Sequence, residues 1–310
     1  MAIGLLEAAN LTQDTLHIGL IEELIKTSPL IKRLPFVTAV GSAMKIVRED
    51  EDNPPGIQFV GPSDEITEST GDTSTQTYNL TILIGDADVS TFIQQTQSNK
   101  MDQMKTQVKM KLKQLAHKFE ETFIYGDEDI DNQFDGFQNG AMCTATQRLC
   151  LGTGATGATL TLYDLHHLVD TVLGEPPDIL LLNKEIMRRL TVKLASVGSY
   201  QTQRDEYGDL WAYWRGIPLV VTDWLTQTEA ILATAYKAKT GGVTSSIIAV
   251  RFGEGDGVCG LQNGTITTEK FDKLETKDAK RTRLKWYVGS IIYSTKSLAI
   301  LSGITDAAMT

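Results

Sequence analysis

The sequence predicts an α+β fold in which an extended β-hairpin loop and one long helix are joined to a compact α/β layer. Three observations predict it: strand-like stretches without a core of their own at 36–90, continuous helical periodicity at 91–125, and alternating helix and strand patterns at 141–261. The chain has 310 residues, of which 41% are hydrophobic, so it can bury a substantial core as one large domain or two ordinary ones.

An N-terminal arm is predicted for residues 1–35. Leucine and isoleucine recur at helical spacing from about 12 to 26, and Pro29 and Pro35 then break the pattern. A short amphipathic helix so near a terminus packs on its own domain or docks on a neighbour, and the sequence leaves both open.

The extended loop is predicted at 36–90. The stretches "FVTAV", "AMKIV", "GIQFV" and "TYNLTILI" have strand character, and Pro54-Pro55, Gly61-Pro62 and a polar run separate them. This segment holds too little apolar material for its own core. We therefore expect a hairpin that packs on a surface elsewhere.

The loop carries the whole net charge of −10. Between positions 49 and 99 there is no Lys or Arg, and the remaining 29 acids and 29 bases of the chain balance. The ten acids of this segment are Glu49, Asp50, Glu51, Asp52, Asp64, Glu65, Glu68, Asp72, Asp86 and Asp88. Such asymmetry favours contact with a basic surface, and the lack of a dominant basic patch argues against tight nucleic-acid binding.

The clearest helix is predicted from Thr91 to about Tyr125, and Gly126 should end it. Its apolar residues follow at steps of three and four: Met101, Met104, Val108, Leu112, Leu115, Phe119 and Phe123. Its lysines face away: Lys100, Lys105, Lys109, Lys111, Lys113 and Lys118.

The α/β layer is predicted at 141–261. The stretches "LYDLHHLVDTVL" and "KEIMRRLTVKLASVG" are helical, "DILLLN" and "GIPLVVTDW" are strands, and "AILATAYKA" and "SSIIAVRFG" add strand signals. After it, Asn263-Gly264 predicts a hairpin turn, and residues 279–303 form a long closing β segment.

An aspartate-rich stretch, "FIYGDEDIDNQFDGFQNG", follows the long helix. Asp127, Asp129 and Asp131 alternate as in a calcium-binding EF-hand loop, but Asn132 and Gln138 occupy the places that require Gly and Glu. An acidic, solvated exit turn is therefore favoured over a metal site.

The stretch "GTGATG" has the spacing of a dinucleotide-binding loop at Gly152, Gly154 and Gly157. The preceding stretch is a half-polar strand at best, and the next helix should start later, near Thr161. A linker is favoured, and a dinucleotide-binding oxidoreductase is only a distant alternative.

The remaining motifs predict no catalytic, cofactor or metal site. His166 and His167 are adjacent on a helix and diverge by about 100°, and the hydrolase, zincin and phosphate-loop motifs are absent from the sequence. Three unpaired cysteines, Cys143, Cys150 and Cys259, favour a reducing compartment. The sequence contains no run of about 18 apolar residues, so no membrane span is predicted.

The order of these parts resembles the tailed-bacteriophage major capsid protein of the Hong Kong 97 fold. The parts that carry the resemblance are the arm, the acidic loop, a long helix ending in "YGD" and "FDGF", an α/β domain with "GIPLVV", and a return to β structure. The resemblance implies an N-terminal arm at 1–35, an extended loop at 36–90, a peripheral domain with the spine helix at 91–140 and 262–310, and an axial domain at 141–261.

The resemblance also implies a structural protein that is not an enzyme. Hexamers and pentamers of such a protein close into an icosahedral phage head around double-stranded DNA, without sequence-specific binding, and the virion assembles in the host bacterial cytoplasm. A separate scaffolding protein, a portal and a cement protein are the implied partners. Cross-linking through the loop is not expected, because Lys45 is the last lysine before Lys100. The alternative is an encapsulin-type nanocompartment shell protein.

We expect the acidic loop to lie on a basic face of a neighbouring copy. The candidate contact residues on the loop are Glu49, Asp50, Glu51, Asp52, Asp64, Glu65 and Glu68. The candidate basic face is formed by Arg281, Arg283 and Lys285, which alternate along one strand and so project from one side of it. A solvated face is the other interpretation of that row.

Overall fold

The computed structural model describes residues 30–49, 56–62, 64–66, 68, 70–92, 95, 103–129, 132–140, 142–152, 157–198, 201–204, 210–230, 241–272, 274, 277–307 and 309. The predicted arm helix at about 12–26 lies outside them, as does the strand predicted for "AILATAYKA" over most of its length. None of the helices in the described part of the chain has the length and apolar character of a membrane-spanning segment.

Two sheets and a two-stranded ribbon organise the chain. The seven-stranded sheet has the order β5-β14-β10-β6-β9-β8-β7 and contains β5 Arg148–Cys150, β6 Ile179–Leu182, β7 Gln201–Arg204, β8 Leu210–Trp214, β9 Ile217–Val221, β10 Thr244–Val250 and β14 Leu298–Thr305. The five-stranded sheet contains β1 Phe36–Thr38, β4 Thr81–Ser90, β11 Val258–Gln262, β12 Thr267–Phe271 and β13 Ala279–Ile292. The ribbon pairs β2 Ala43–Glu49 with β3 Thr73–Asn79.

The long helix α1, Gln103–Tyr125, has 23 residues and is therefore about 34 Å long. Its predicted apolar residues from Val108 to Phe123 are buried, and the predicted lysines that the structure describes are exposed, as the spacing indicates. Gly126 follows its end because a Cβ there would lie 2.2 Å from the carbonyl oxygen of Phe134. Close backbone approach, rather than a left-handed conformation, requires this glycine.

The core is continuous on both sides of the seven-stranded sheet. Along β6, Ile179 and Leu181 join the cluster that contains Phe119 of α1, whereas Leu180 and Leu182 join the cluster on the opposite face. Helices α2, Leu162–Thr171, and α3, Lys184–Val197, cover that opposite face. The predicted buried strand "DILLLN" is thus confirmed, since alternate side chains are buried on both faces.

The predicted Asn263-Gly264 hairpin is wrong as a strand pairing. The chain only bends at Gly264, where φ is +74°. It does not reverse direction there, because β11 and β12 both run antiparallel to β13 and pair with it, not with each other. The 14-residue β13 has room for both, with β12 opposite residues 281–285 and β11 opposite residues 288–292.

The closing β segment divides into two strands that belong to different sheets. After β13, a short 3₁₀ turn at Thr295–Ser297 redirects the chain, and β14 enters the interior of the seven-stranded sheet between β5 and β10. Conversely, β11 lies in the five-stranded sheet although four of its five residues, 258–261, fall within the predicted axial domain. The predicted boundary between the axial and peripheral domains is therefore crossed twice, by β14 in one direction and by β11 in the other. Each is a buried strand of the sheet that belongs mainly to the other predicted domain. The peripheral and axial division itself stays a prediction.

Candidate functional site

The tip of the extended loop exposes large apolar side chains. Among the described residues between β2 and β3, Ile57 is 97% exposed, Ile66 is 78% exposed and Phe59 is fully exposed. The base of the ribbon differs, since Met44, Ile46 and Tyr78 pack against a small core cluster of the body. The loop therefore has an anchored base and an apolar tip that nothing in the single chain covers among the described residues.

The outward face of the five-stranded sheet offers a mixed surface. The β4–β13 register places Ile82 opposite Tyr287 and Ile84 opposite Lys285. Ile82 is 64% exposed and Ile84 49% exposed, so this end of the face is apolar and accessible. The alternate residues of the same strands, such as Leu284 and Trp286, are buried toward α1.

The other end of this face is a ladder of ion pairs. Arg281 donates from Nε and Nη2 to the two oxygens of Asp88, at 2.6 and 2.8 Å. Arg283 donates in the same forked manner to Asp86, at 2.8 and 2.8 Å. Arg281 Nη1 also approaches Asp86 at 3.4 Å, which links the two pairs. The hydrogen bonds from Arg283 and Arg281 lower the pKa of Asp86 and Asp88 respectively.

The three predicted basic residues do share one face, and each has an acidic partner in its own chain. The partner of Lys285 is Glu269, at 2.7 Å. Asp86 and Asp88 were part of the acidic segment but were not singled out, although their alternation with Ile82 and Ile84 in "TILIGDADVS" is a visible signal. Contact of this face with another copy stays a prediction.

The predicted acidic contact residues divide between exposed and undescribed positions. Those that the structure describes are exposed: Glu49, Asp64, Glu65 and Glu68. Asp50, Glu51 and Asp52 lie outside the described residues. The Asp64 carboxylate accepts a 2.7 Å hydrogen bond from the amide of Gly61, which closes a tight turn near the tip.

The aspartate-rich exit turn is held by amides. Asp127 accepts from the Asp129 amide at 3.1 Å, and Asp135 accepts from the Glu128 amide at 2.9 Å and from Asn139 Nδ2. Burial raises the pKa of Asp135. Asp131 is outside the described residues, and no group of three or more His, Cys, Asp or Glu among the described ones is placed to hold a metal.

Gly157, the last residue of the "GTGATG" stretch, packs against the closing strand. A Cβ on Gly157 would lie 2.3 Å from the carbonyl oxygen of Gly303 in β14, and its φ is +65°. Helix α2 begins later, as predicted, with Thr161 and Asp164 forming a reciprocal capping box. Residues 153–156 are not described. Close packing and backbone conformation explain Gly157 without a phosphate ligand.

The described histidine and cysteine side chains form no catalytic arrangement. His166 Nδ1 lies 3.0 Å from Arg215 Nη1 on an exposed surface. Cys143 and Cys259 are buried and Cys150 is exposed, all as free thiols. The thiol of Cys259 has its pKa raised to about 11 by burial, which disfavours the reactive thiolate.

The chain is similar to shell and capsid proteins. The family model for the type 2A encapsulin shell protein, SrpI-like, matches residues 67–303. The holo-SrpI encapsulin complex from Synechococcus elongatus PCC 7942 has 17% identity and a TM-score of 0.70, covering 92% of this chain and 90% of that chain. No curated protein matches the sequence.

Two further solved structures have the same architecture at low identity. The capsid of a native GTA particle has 12% identity and a TM-score of 0.60, covering 90% of this chain and 91% of that chain. A structure from Mycobacterium phage Ogopogo has 17% identity and a TM-score of 0.62, covering 89% and 91%. The predicted Hong Kong 97 fold is thereby confirmed.

Proposed function

Because the chain belongs to the SrpI-like family of type 2A encapsulin shell proteins, we propose that it is the shell subunit of an encapsulin-type nanocompartment that encloses a cargo protein. Fold and family make it a structural, non-enzymatic protein that associates with copies of itself. They favour the nanocompartment over the phage head that the sequence first indicated. Only a phage head would involve a scaffolding protein, a portal, a cement protein, enclosed DNA and a location in a virion.

The observation that carries the assembly contact is the apolar tip of the loop. Ile57 and Phe59 are almost wholly in water in the single chain, and Ile82 and Ile84 provide an exposed apolar surface on the five-stranded sheet. Fully burying one such side chain at a contact between subunits contributes about 1.5–3 kcal/mol to the free energy of association. We place the tip of one copy on this sheet face of the next copy, an arrangement that repeats around a closed ring.

The charged residues adjust the register of that contact. Arg281 already bridges Asp88 and Asp86, so an added carboxylate such as Glu65 or Glu68 of a neighbouring loop would extend an existing network. Exposed ion pairs contribute much less than a buried apolar side chain and are screened by salt. Apolar burial therefore supplies the affinity, and the acidic residues supply orientation and salt sensitivity.

Charge reversal tests this part of the proposal with a matched control. Changing Arg281 and Arg283 to Glu should lower subunit stability, because four carboxylates then face one another on β4 and β13. Adding Asp86→Arg and Asp88→Arg restores the pairs but moves the cations to the neighbouring strand. We expect the fourfold variant to fold like the wild type and assemble less well. Wild-type assembly by that variant would refute the loop contact with these cations.

The contents of purified particles separate the two functions. Particles from a bacterial host would be treated with nuclease, opened and assayed for protein and nucleic acid. If the protein forms a nanocompartment, we expect closed shells that contain a second protein and no protected double-stranded DNA. Protected DNA of genome length would favour the phage head, and an absence of particles would contradict both.

A further inference from the structure

Arg48 stands where the acidic segment begins. It is the last cation before Lys100, and ten acids lie between it and that lysine. It belongs to β2, where it pairs with Ser74 of β3 and lies on the face that turns toward the body of the subunit. Arg48 is therefore a cation on the inner face of the ribbon, directly before a segment of the loop whose charged residues are all acidic.

The Arg48 guanidinium binds three acceptors at once. Its Nε donates to the carbonyl oxygen of Tyr293 at 2.9 Å, and its Nη2 donates to the carbonyl oxygen of Ile292 and to the hydroxyl of Tyr78. Ile292 is the last residue of β13, so Arg48 connects the ribbon to the end of the longest strand in the body. A planar guanidinium can serve acceptors in several directions of its plane, whereas a lysine ammonium acts as a point charge.

Tyr78 completes the connection from the other strand of the ribbon. Its hydroxyl donates to the carbonyl oxygen of Ile292 at 3.1 Å, and the Arg48 guanidinium lies 5.8 Å from the centre of its ring. Burial raises the pKa of Tyr78, so the hydroxyl remains a donor at neutral pH. Both strands of the ribbon thus bind the same end of β13.

The ribbon leaves the body at this point. On the inner face of β2, Met44 and Ile46 pack on the body's apolar cluster, which fixes the part of the ribbon nearest its base. Beyond them, a cleft of about 810 Å³ opens between the ribbon and the body, and Arg48 forms part of its wall. The body side of the cleft consists of residues 144–147, 255 and 293–296.

We infer that Arg48 is a positioning residue that fixes the angle of the ribbon on the body before subunits meet. The inference rests on the proposed function, because the angle matters only if the tip contacts another copy. Phe59 is the eleventh residue after Arg48, and eleven steps along an extended chain span at most about 40 Å. A rotation of about ten degrees at the base would then displace the tip by up to about 7 Å, enough to miss its surface on the next subunit.

Four single variants of the full chain test this role. Arg48→Ala removes every donor, Arg48→Lys keeps the charge, and Tyr78→Phe removes one bridge. Lys45→Ala is the matched control, since Lys45 is exposed on the outer side of the same strand. The measurements are the thermal unfolding midpoint, amide hydrogen exchange in peptides covering 43–49 and 73–79, and the diameter distribution of particles.

We expect Arg48→Ala to raise ribbon exchange about tenfold or more, because hydrogen bonds to a charged donor are lost. Exchange in β13 should stay at the wild-type level, and closed particles should become fewer and broader in diameter. Ribbon exchange in Arg48→Lys should be intermediate between that of Arg48→Ala and that of the wild type. Tyr78→Phe should raise ribbon exchange less than Arg48→Ala, and Lys45→Ala should leave it unchanged.

Wild-type ribbon exchange in Arg48→Ala would overturn the inference, as would faster exchange with unchanged particles. A failure of the wild-type chain to form particles would refute the proposed function instead. The exchange data would still report on the Arg48 contact in that case, so the two failures are distinguishable.

Discussion

Replacing Phe59 with serine should separate the folding of the subunit from its assembly. Phe59 is fully exposed in the single chain, so its loss removes no core contact, and the subunit's unfolding free energy should change by no more than about 0.5 kcal/mol. In the assembly that we propose, every subunit of a closed shell donates one loop tip. Losing the burial of one phenylalanine then costs about 1.5–3 kcal/mol per subunit, which raises the critical concentration for assembly by about 10- to 150-fold.

Phe119→Ala is the matched control for that experiment. Phe119 is 1% exposed and lies in the core cluster beside Trp286, and truncation of a buried phenylalanine costs about 3–5 kcal/mol of folding free energy. Urea denaturation of dissociated subunits measures folding, and light scattering against protein concentration measures assembly. Loss of subunit stability in Phe59→Ser comparable to that in Phe119→Ala, or an unchanged critical concentration, would refute the proposed role of the loop tip.

Two further predictions concern subunit stability. The pKa values of Asp86 and Asp88 are lowered in the folded state, so their contribution is present above the unfolded value of about 3.9 and is lost as pH falls through the lower folded values. Urea midpoints between pH 5 and 2 should therefore fall less steeply when both are changed to Asn, and equal slopes would contradict the prediction. Gly157→Ala should destabilise by more than about 1 kcal/mol because it combines a 2.3 Å approach with a positive φ. Gly85→Ala, with open space around it and no positive φ, should be nearly neutral in the same thermal unfolding assay.

Local periodicity in the sequence was sufficient to predict the main helix and the buried strands. The spacing from Val108 to Phe123 follows the 3.6-residue repeat, and the structure buries that face. The run from Ile179 to Leu182 predicts a strand covered on both sides, and its residues do enter two different core clusters. Each of these features depends on residues close together in the chain.

Strand order required information that local patterns do not contain. Asn263-Gly264 has the chemistry of a hairpin turn, yet β11 and β12 follow one another along the same edge of the 14-residue β13, and β4 pairs with its other edge. In the same way, β14 joins the sheet of β10 because its side chains are buried on both faces there. Both pairings join residues distant in sequence, so they depend on how the whole core closes.

The candidate site was predictable in part. Alternation placed Arg281, Arg283 and Lys285 on one face, and the charge distribution singled out the acidic loop. The intrachain pairing with Asp86 and Asp88 depends on the β4–β13 register, which spans almost two hundred residues of sequence separation. The apolar tip around Phe59 was present in the sequence, but its exposure becomes evident only when the core is seen to close without it.

Cryo-electron microscopy of the purified protein is the sharpest test of the proposed assembly. We expect closed shells in which the loop tip around Phe59 is buried on the Ile82 and Ile84 face of an adjacent subunit. A folded, stable protein that remains a monodisperse monomer or dimer at high concentration would contradict the proposed shell.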